Sequence, residues 1–250
     1  QFFGYHPLDS LVVFADVADS ISCAPSAQTS LDISGPFAKG LEADDRNLIL
    51  AAYRAAQRHT DCPALAFTLV KNLPVAAGIG GGSANAAAAL RLLKHYVNLT
   101  EPEWLDIALK LGADVPVCYG SQTARMTGIG ESVTPLPGLE PVHAVLVNPG
   151  MAVMTGDIFR ALDSAGAKET PRPQMETGSL LERARDGRND LQPPATALAP
   201  EINTCLAALS ETTSCALARM SGSGATCFGL FDSKAAADAA AKTLQAAHLM

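Results

Sequence analysis

The chain has 250 residues, enough for one large or two modest domains, and its 48% apolar and 17% charged residues make a globular rather than a disordered composition. A formal net charge of -7 with no Lys/Arg cluster argues against a nucleic-acid-binding face, whose affinity comes from many phosphate contacts. No apolar stretch approaches membrane-spanning length, no signal peptide is visible, and six scattered cysteines without a C-x-x-C pair read as reduced thiols of a cytoplasmic protein.

The chain opens at Gln1-Phe2-Phe3-Gly4 and soon reaches Leu11-Val12-Val13-Phe14-Ala15, a β-prone run, with Asp16 to Ser20 as polar punctuation. Leu31-Asp32-Ile33 alternates like a strand before Gly35-Pro36 turns the chain. Asn47 caps a helix whose Leu48, Ala51, Ala52, Ala55 and Ala56 recur at helical spacing. Leu65 to Val70 is a strand ended by Lys71-Asn72-Leu73-Pro74, and Ser83 to His95 is an alanine-rich helix. Thr100-x-x-Glu103 forms a capping box for a third helix that stops near Gly112. Val142 to Val147 reads as a strand, Pro149-Gly150 as a hinge into a second lobe, Thr155 to Leu162 as a helix and Glu169 to Gln174 as a loop. The end is compact: Ser221-Gly222-Ser223-Gly224, a strand from Thr226 to Phe231, and a helix from Ser233 to Ala247. Without steady β-α-β alternation, the fold class is α+β.

Gly78-Ile79-Gly80-Gly81-Gly82-Ser83 carries the most information. Each glycine costs roughly 1 kcal/mol against alanine inside a helix, yet four stand in five positions just ahead of Ala84-Asn85-Ala86-Ala87. Such a bare backbone feeding a helix N-terminus is an anion site, because first-turn N–H groups lack helical partners and the helix dipole is positive there. Ser83 adds a hydroxyl for a phosphate or its magnesium ion. A Walker A loop would need Gly-Lys-Ser/Thr, and a dinucleotide fingerprint would need glycine at Ser83, so both are excluded. The competing reading is a tight turn where helix and sheet pack closely.

Pro74 through Ala89 resembles the second motif of the GHMP kinase superfamily, and Met220 to Thr226 resembles its third, a second glycine loop. Gly4-Tyr5-His6-Pro7-Leu8-Asp9-Ser10-Leu11, Leu111-Gly112-Ala113-Asp114-Val115-Pro116, Thr155-x-x-Ile158-Phe159 and Arg188-Asn189-Asp190-Leu191 are similar to segments of one branch. That branch phosphorylates the 2-hydroxyl of a cytidine diphosphate-linked methylerythritol in non-mevalonate isoprenoid synthesis. The resemblance implies an α+β, two-lobed fold, with residues 1–140 an ATP-binding lobe like domain 2 of ribosomal protein S5 and 141–250 a ferredoxin-like substrate lobe. It also implies ATP with Mg²⁺ as cofactors and a small-molecule substrate, with no nucleic acid and no membrane as partner.

Residue by residue, the resemblance makes Asp114 the base that takes the hydroxyl proton, beside a cation that keeps it ionised. Pro74, Gly78, Gly80, Gly81, Gly82 and Ser83 would hold the ATP phosphates, and Asn47, Leu48 and Lys71 would line the adenosine pocket. The bland alternatives for those three are an N-cap, a core side chain and a solvated charge. Tyr5 and His6 would recognise the cytidine, Phe159 would give a second stacking face, and Thr155 would bond the same ligand or cap its helix. The family pattern carries Ala-Lys-x-Asn-Leu ahead of Gly-Tyr-His, and its lysine partners the aspartate. A chain truly beginning at Gln1 is expected to have little or no kinase activity. The rivals are another GHMP kinase acting on homoserine, mevalonate or a sugar, and a catalytically silent GHMP-fold binding protein. A dinucleotide-binding oxidoreductase is disfavoured by the loop spacing.

Overall fold

The structure, a computed structural model, describes residues 6–165 and 177–247. Tyr5 and the loop expected at Glu169 to Gln174 lie outside the described residues. The chain falls into two compact units. One joins the described residues through Val75 to Gly80–Pro137, and the other joins Ala76–Ile79 to the described residues from Gly138 onward.

The first unit holds β1 (Leu8–Val12), β2 (Ser20–Pro25), β3 (Ser30–Ser34), α1 (Leu48–Gln57), β4 (Leu65–Val70) and α2 (Gly81–Leu93). It continues with α3 (Glu101–Leu111), α4 (Val115–Gly120), β5 (Ala124–Gly128) and β6 (Ser132–Pro135). One sheet runs β1-β5-β6, antiparallel throughout, with Leu8 opposite Gly128 and Val12 opposite Ala124. The other runs β2-β4-β3, and β3 lies parallel to β4. A parallel neighbour needs a crossover, and α1 supplies it. Leu65, Phe67 and Leu69 of β4 are buried at every second position, and Phe67 meets the Tyr53 ring edge-on at 5.8 Å between centroids. The alanine run of α2 is explained by packing: Ala86, Ala87 and Ala89 are wholly buried where α2 lies against its neighbours, α1 among them. A larger side chain there would overpack, at about 1–3 kcal/mol. The capping box is present, with the Thr100 N–H donating to Glu103 Oε2 at 2.7 Å, and Gly112 caps α3.

The second unit holds β7 (His143–Val147), α5 (Thr155–Ser164), α6 (Leu180–Asp186), α7 (Gln192–Leu198), α8 (Glu201–Ser210), β8 (Cys215–Met220), β9 (Cys227–Phe231) and α9 (Lys234–Ala246). Its sheet is antiparallel in the order β7-β9-β8. Val145, Val147, Ile158, Ile202 and Phe231 are central to its core. Ser233 caps α9, its hydroxyl accepting from the Ala236 N–H at 3.2 Å.

Several expectations need correction. The first strand ends at Val12, and Val13 to Ala15 are not part of it. Pro149-Gly150 is not the boundary, because β7 before it is hydrogen-bonded to β9 and belongs to the second unit. β2, α4, β5 and β6 carry too little apolar alternation to be read locally. No helix of the described residues is long and apolar enough to cross a membrane.

Candidate functional site

The helix after the glycine loop begins at Gly81, two residues earlier than expected, with Gly80 as its N-cap. Gly78 (φ +70°) and Gly80 (φ +66°) occupy the left-handed region that glycine tolerates best. The first helical bond runs from the Ala84 N–H to the Gly80 carbonyl at 2.8 Å, so the amides of Gly81, Gly82 and Ser83 precede the ladder. Two of these glycines are not required by the protein's own packing. A Cβ at Gly81 would lie 3.7 Å from Lys71 Nζ, and one at Gly82 would lie 3.5 Å from Leu48 Cδ1, both ordinary contacts. Gly78 differs, since a Cβ there would fall 2.1 Å from the Gly224 carbonyl oxygen. The loop therefore combines one glycine demanded by close packing, one demanded by φ, and two left bare without internal need.

A buried ion pair sits beneath the loop. Lys71, only 4% exposed, donates from Nζ to Asp19 Oδ2 at 2.7 Å and to the Leu73 carbonyl at 2.6 Å. Asn85 of α2 donates to the same Oδ2 at 3.0 Å. The Asn72 and Leu73 N–H groups donate to Asp19 Oδ1 at 2.8 and 2.9 Å. One carboxylate thus ties the start of β2, the end of β4 and the first turns of α2. Burial works to raise the Asp19 carboxyl, but the bonds from Lys71, the Leu73 amide and Asn85, with the Lys71 charge, outweigh it and hold it below its ordinary value. Lys71 is therefore not a solvated charge. The sequence did not tie Asp19 and Asn85 to Lys71, because Asp19 stood in apparent polar punctuation and its partners are 52 to 66 residues away.

Asn47 caps α1: its Oδ1 accepts from the Ile49 N–H at 3.1 Å, and its Nδ2 donates to the Glu42 carbonyl at 3.2 Å. Leu48, the first residue of α1, reaches Gly82, and Pro74 is half-buried in the segment between the ion pair and the glycines.

In the second unit the 220–226 loop backs directly on Ala77 and Gly78. The Thr226 N–H donates to the Ala77 carbonyl at 3.1 Å, and a Cβ at Gly222 would lie 3.1 Å from the Gly78 oxygen. Asn189 Nδ2 donates to the Met220 and Gly222 carbonyls, both at 2.8 Å, and Asn148 Nδ2 donates to Thr226 Oγ1 at 2.8 Å. Thr155 and Ser223 share a hydroxyl hydrogen bond of 2.8 Å. Thr155 is the first residue of α5 and Met154 its N-cap, so the capping alternative for Thr155 does not hold. Phe159 follows four residues on, half-buried and on the same helix face as Thr155, while Ile158 faces the core. In the first unit His6 is half-buried just before β1.

Asp114 is the N-cap of α4 but makes no side-chain capping bond. It retains accessible surface while protein atoms crowd the volume around it, and this loss of water pushes its carboxyl above the ordinary value. No ion pair to Asp114 forms among the described residues. α4 packs on α2, and Arg91 of α2 donates to the Cys118 carbonyl at 2.7 Å. Cys118 is buried and its thiol is pushed up to about 12, which fits a core filler rather than a reactive group.

The N-terminal domain of GHMP kinases matches residues 47–122, and their C-terminal domain matches residues 173–248. The 4-diphosphocytidyl-2-C-methyl-D-erythritol kinase of Dinoroseobacter shibae is 48% identical over 248 residues, covering 98% of this chain and 84% of that protein. The protein of the same name from Methylobacterium radiotolerans is 49% identical over 259 residues, covering 98% and 88%. A crystal structure of 4-(cytidine 5'-diphospho)-2C-methyl-D-erythritol kinase matches with a TM-score of 0.73 at 31% identity, covering 98% of this chain and 89% of that one. A homoserine kinase from Cytophaga hutchinsonii matches with a TM-score of 0.69 at 19% identity, covering 92% and 82%, a likeness of fold alone.

Proposed function

The chain belongs to the GHMP kinases, among the 4-diphosphocytidyl-2-C-methyl-D-erythritol kinases, and on that premise we propose that it phosphorylates the 2-hydroxyl of this cytidine compound with Asp114 as base. The reaction feeds isoprenoid precursor synthesis, and we assign it to the cytoplasm, consistent with six free cysteines. The observation that carries the site reading is the bare first turn of α2. Gly81 and Gly82 have room for a side chain, so what their bareness serves is the close approach of a ligand to the amides.

In this reading residues 1–140 are the ATP-binding lobe, which also carries Tyr5, His6 and Asp114, and 141–250 are the substrate lobe. ATP would supply the phosphoryl group, and Mg²⁺ bound with it near the Ser83 hydroxyl would neutralise phosphate charge. The amides of Gly81, Gly82 and Ser83 bind phosphate oxygens, the Ser83 hydroxyl adds a further bond, and Gly78, Gly80 and Pro74 shape the loop. Leu48 and Asn47 border the nucleoside at the α1 N-terminus. Lys71 acts from beneath the loop, where its charge is largely matched by Asp19. Asp114 accepts the hydroxyl proton. Its raised carboxyl is suited to that task, since a base is most effective with a pKa nearer the working pH. Tyr5, His6, Thr155 and Phe159 hold the cytidine compound.

ADP release from Mg-ATP tests this with a panel of 4-diphosphocytidyl-methylerythritol, homoserine, mevalonate and galactose. Turnover of the cytidine compound alone is the expected result. Turnover of another member would discard the cytidine contacts, and binding without turnover would make the chain a silent binding protein.

A further inference from the structure

Among the described residues, the hydrogen bonds that hold Asp114 run through its backbone. On its C-terminal side α4 fixes it, the Cys118 N–H donating to the Asp114 carbonyl at 3.2 Å. Its side chain makes no capping bond that would steer it. On its N-terminal side the Val115 N–H donates to the Gly112 carbonyl at 3.0 Å, and the turn between β5 and β6 lies against Ala113. Gly130 in that turn has φ +105°, and a Cβ there would lie 2.3 Å from the Ala113 carbonyl oxygen, 2.8 Å from its carbon and 3.0 Å from Cα. All three are backbone atoms that cannot swing aside, so the turn rests flush on the peptide leading into Asp114. The turn is itself braced: the Ile129 N–H donates to Glu131 Oε2 at 2.5 Å, and the Gly130 N–H donates to the Thr127 carbonyl at 3.3 Å.

We propose that Gly130 is a positioning residue for the phosphoryl-transfer reaction, the bare point on which the β5–β6 turn seats the Ala113–Asp114 backbone. This rests on the reading of Asp114 as base. A side chain at position 130 must push the Asp114 backbone away, and a misplacement of about 1 Å at a reacting group costs on the order of a hundredfold in rate. ATP binding, which uses the α2 amides, is left alone.

The test compares Gly130→Ala with Gly40→Ala in steady-state kinetics. Gly40 also has positive φ (+85°) but open space around its Cβ position, so its variant carries the backbone strain and displaces nothing. Gly130→Ala is expected to lose about a hundredfold in kcat with KM for ATP within about twofold, and Gly40→Ala to keep both. Glu131→Ala, which removes the accepting oxygen of the brace without crowding, is expected to lose several-fold in kcat alone and serves should Gly130→Ala not fold. Equal kinetics for Gly130→Ala and Gly40→Ala, or a Glu131→Ala with wild-type kcat, would overturn the proposal. Asp114→Asn run alongside separates the two ideas: full turnover there removes the base and the positioning role together, whereas lost turnover with an unaffected Gly130→Ala removes only the latter.

Discussion

Asp19 and Asp114 both lie in the unit that carries the first turn of α2, and their surroundings push them in opposite directions. Asp19, its side chain 2% exposed, takes hydrogen bonds from Lys71, Asn85 and two backbone amides, which hold it ionised. Asp114 has crowding without such partners, and its carboxyl is raised. A fully satisfied buried carboxylate fixes structure. Asp114 is exposed and, among the described residues, lacks such bonds, and carboxyls shifted in this direction are commonly met at reacting sites. The sequence around each gives little hint of this difference, since both sit beside turns.

The largest effect that would sharpen the contrast comes from Asp19→Asn, which leaves Lys71 as a buried cation without its charge partner. It is expected to lose about 3 kcal/mol of unfolding free energy in urea at pH 7. The folded pKa is depressed, so this stabilisation is present above the unfolded value and is lost as pH falls through the folded one. The gap between wild type and variant should therefore close on acidification below the ordinary aspartate range. A gap that persisted there would mean that Asp19 acts through packing rather than charge.

Gly82→Ala gives a smaller effect with a sharper division. The methyl meets only ordinary contact with Leu48, so melting should hold or rise by the equivalent of roughly 0.5–1 kcal/mol. KM for ATP should rise about tenfold as the methyl intrudes on the phosphate approach, a shift of about 1.4 kcal/mol. Unchanged ATP kinetics would return the loop to a packing role. Smallest is Thr155→Val, which removes the hydroxyl shared with Ser223. It should cost about 1 kcal/mol of stability and raise KM for the cytidine compound a few-fold, with KM for ATP unmoved.

What could be read from the sequence was local. The Thr100–Glu103 capping box, the Asn47 cap and the glycine run declare themselves within a few residues, since caps and bare helix starts have fixed spacing. The 220–226 loop was legible as a motif, but not its seat on Ala77 and Gly78, which joins residues far apart in the chain. The same distance hid the Asp19 cluster and the contact of Gly130 with Ala113. Pro149-Gly150 looked like a boundary because Pro-Gly breaks local structure, while the pairing of β7 with β9 is decided by residues some eighty positions on.

The most direct measurement follows Asp114→Asn by ADP release with the cytidine substrate and by thermal melting of the same sample. A group whose folded pKa is raised binds protons more tightly when folded, but Asp114 is exposed to water, so the cost of its charge to the fold at neutral pH is small. The account predicts about a thousandfold loss of turnover with a melting temperature close to that of the wild type. Retained turnover would contradict Asp114 as the base of this kinase.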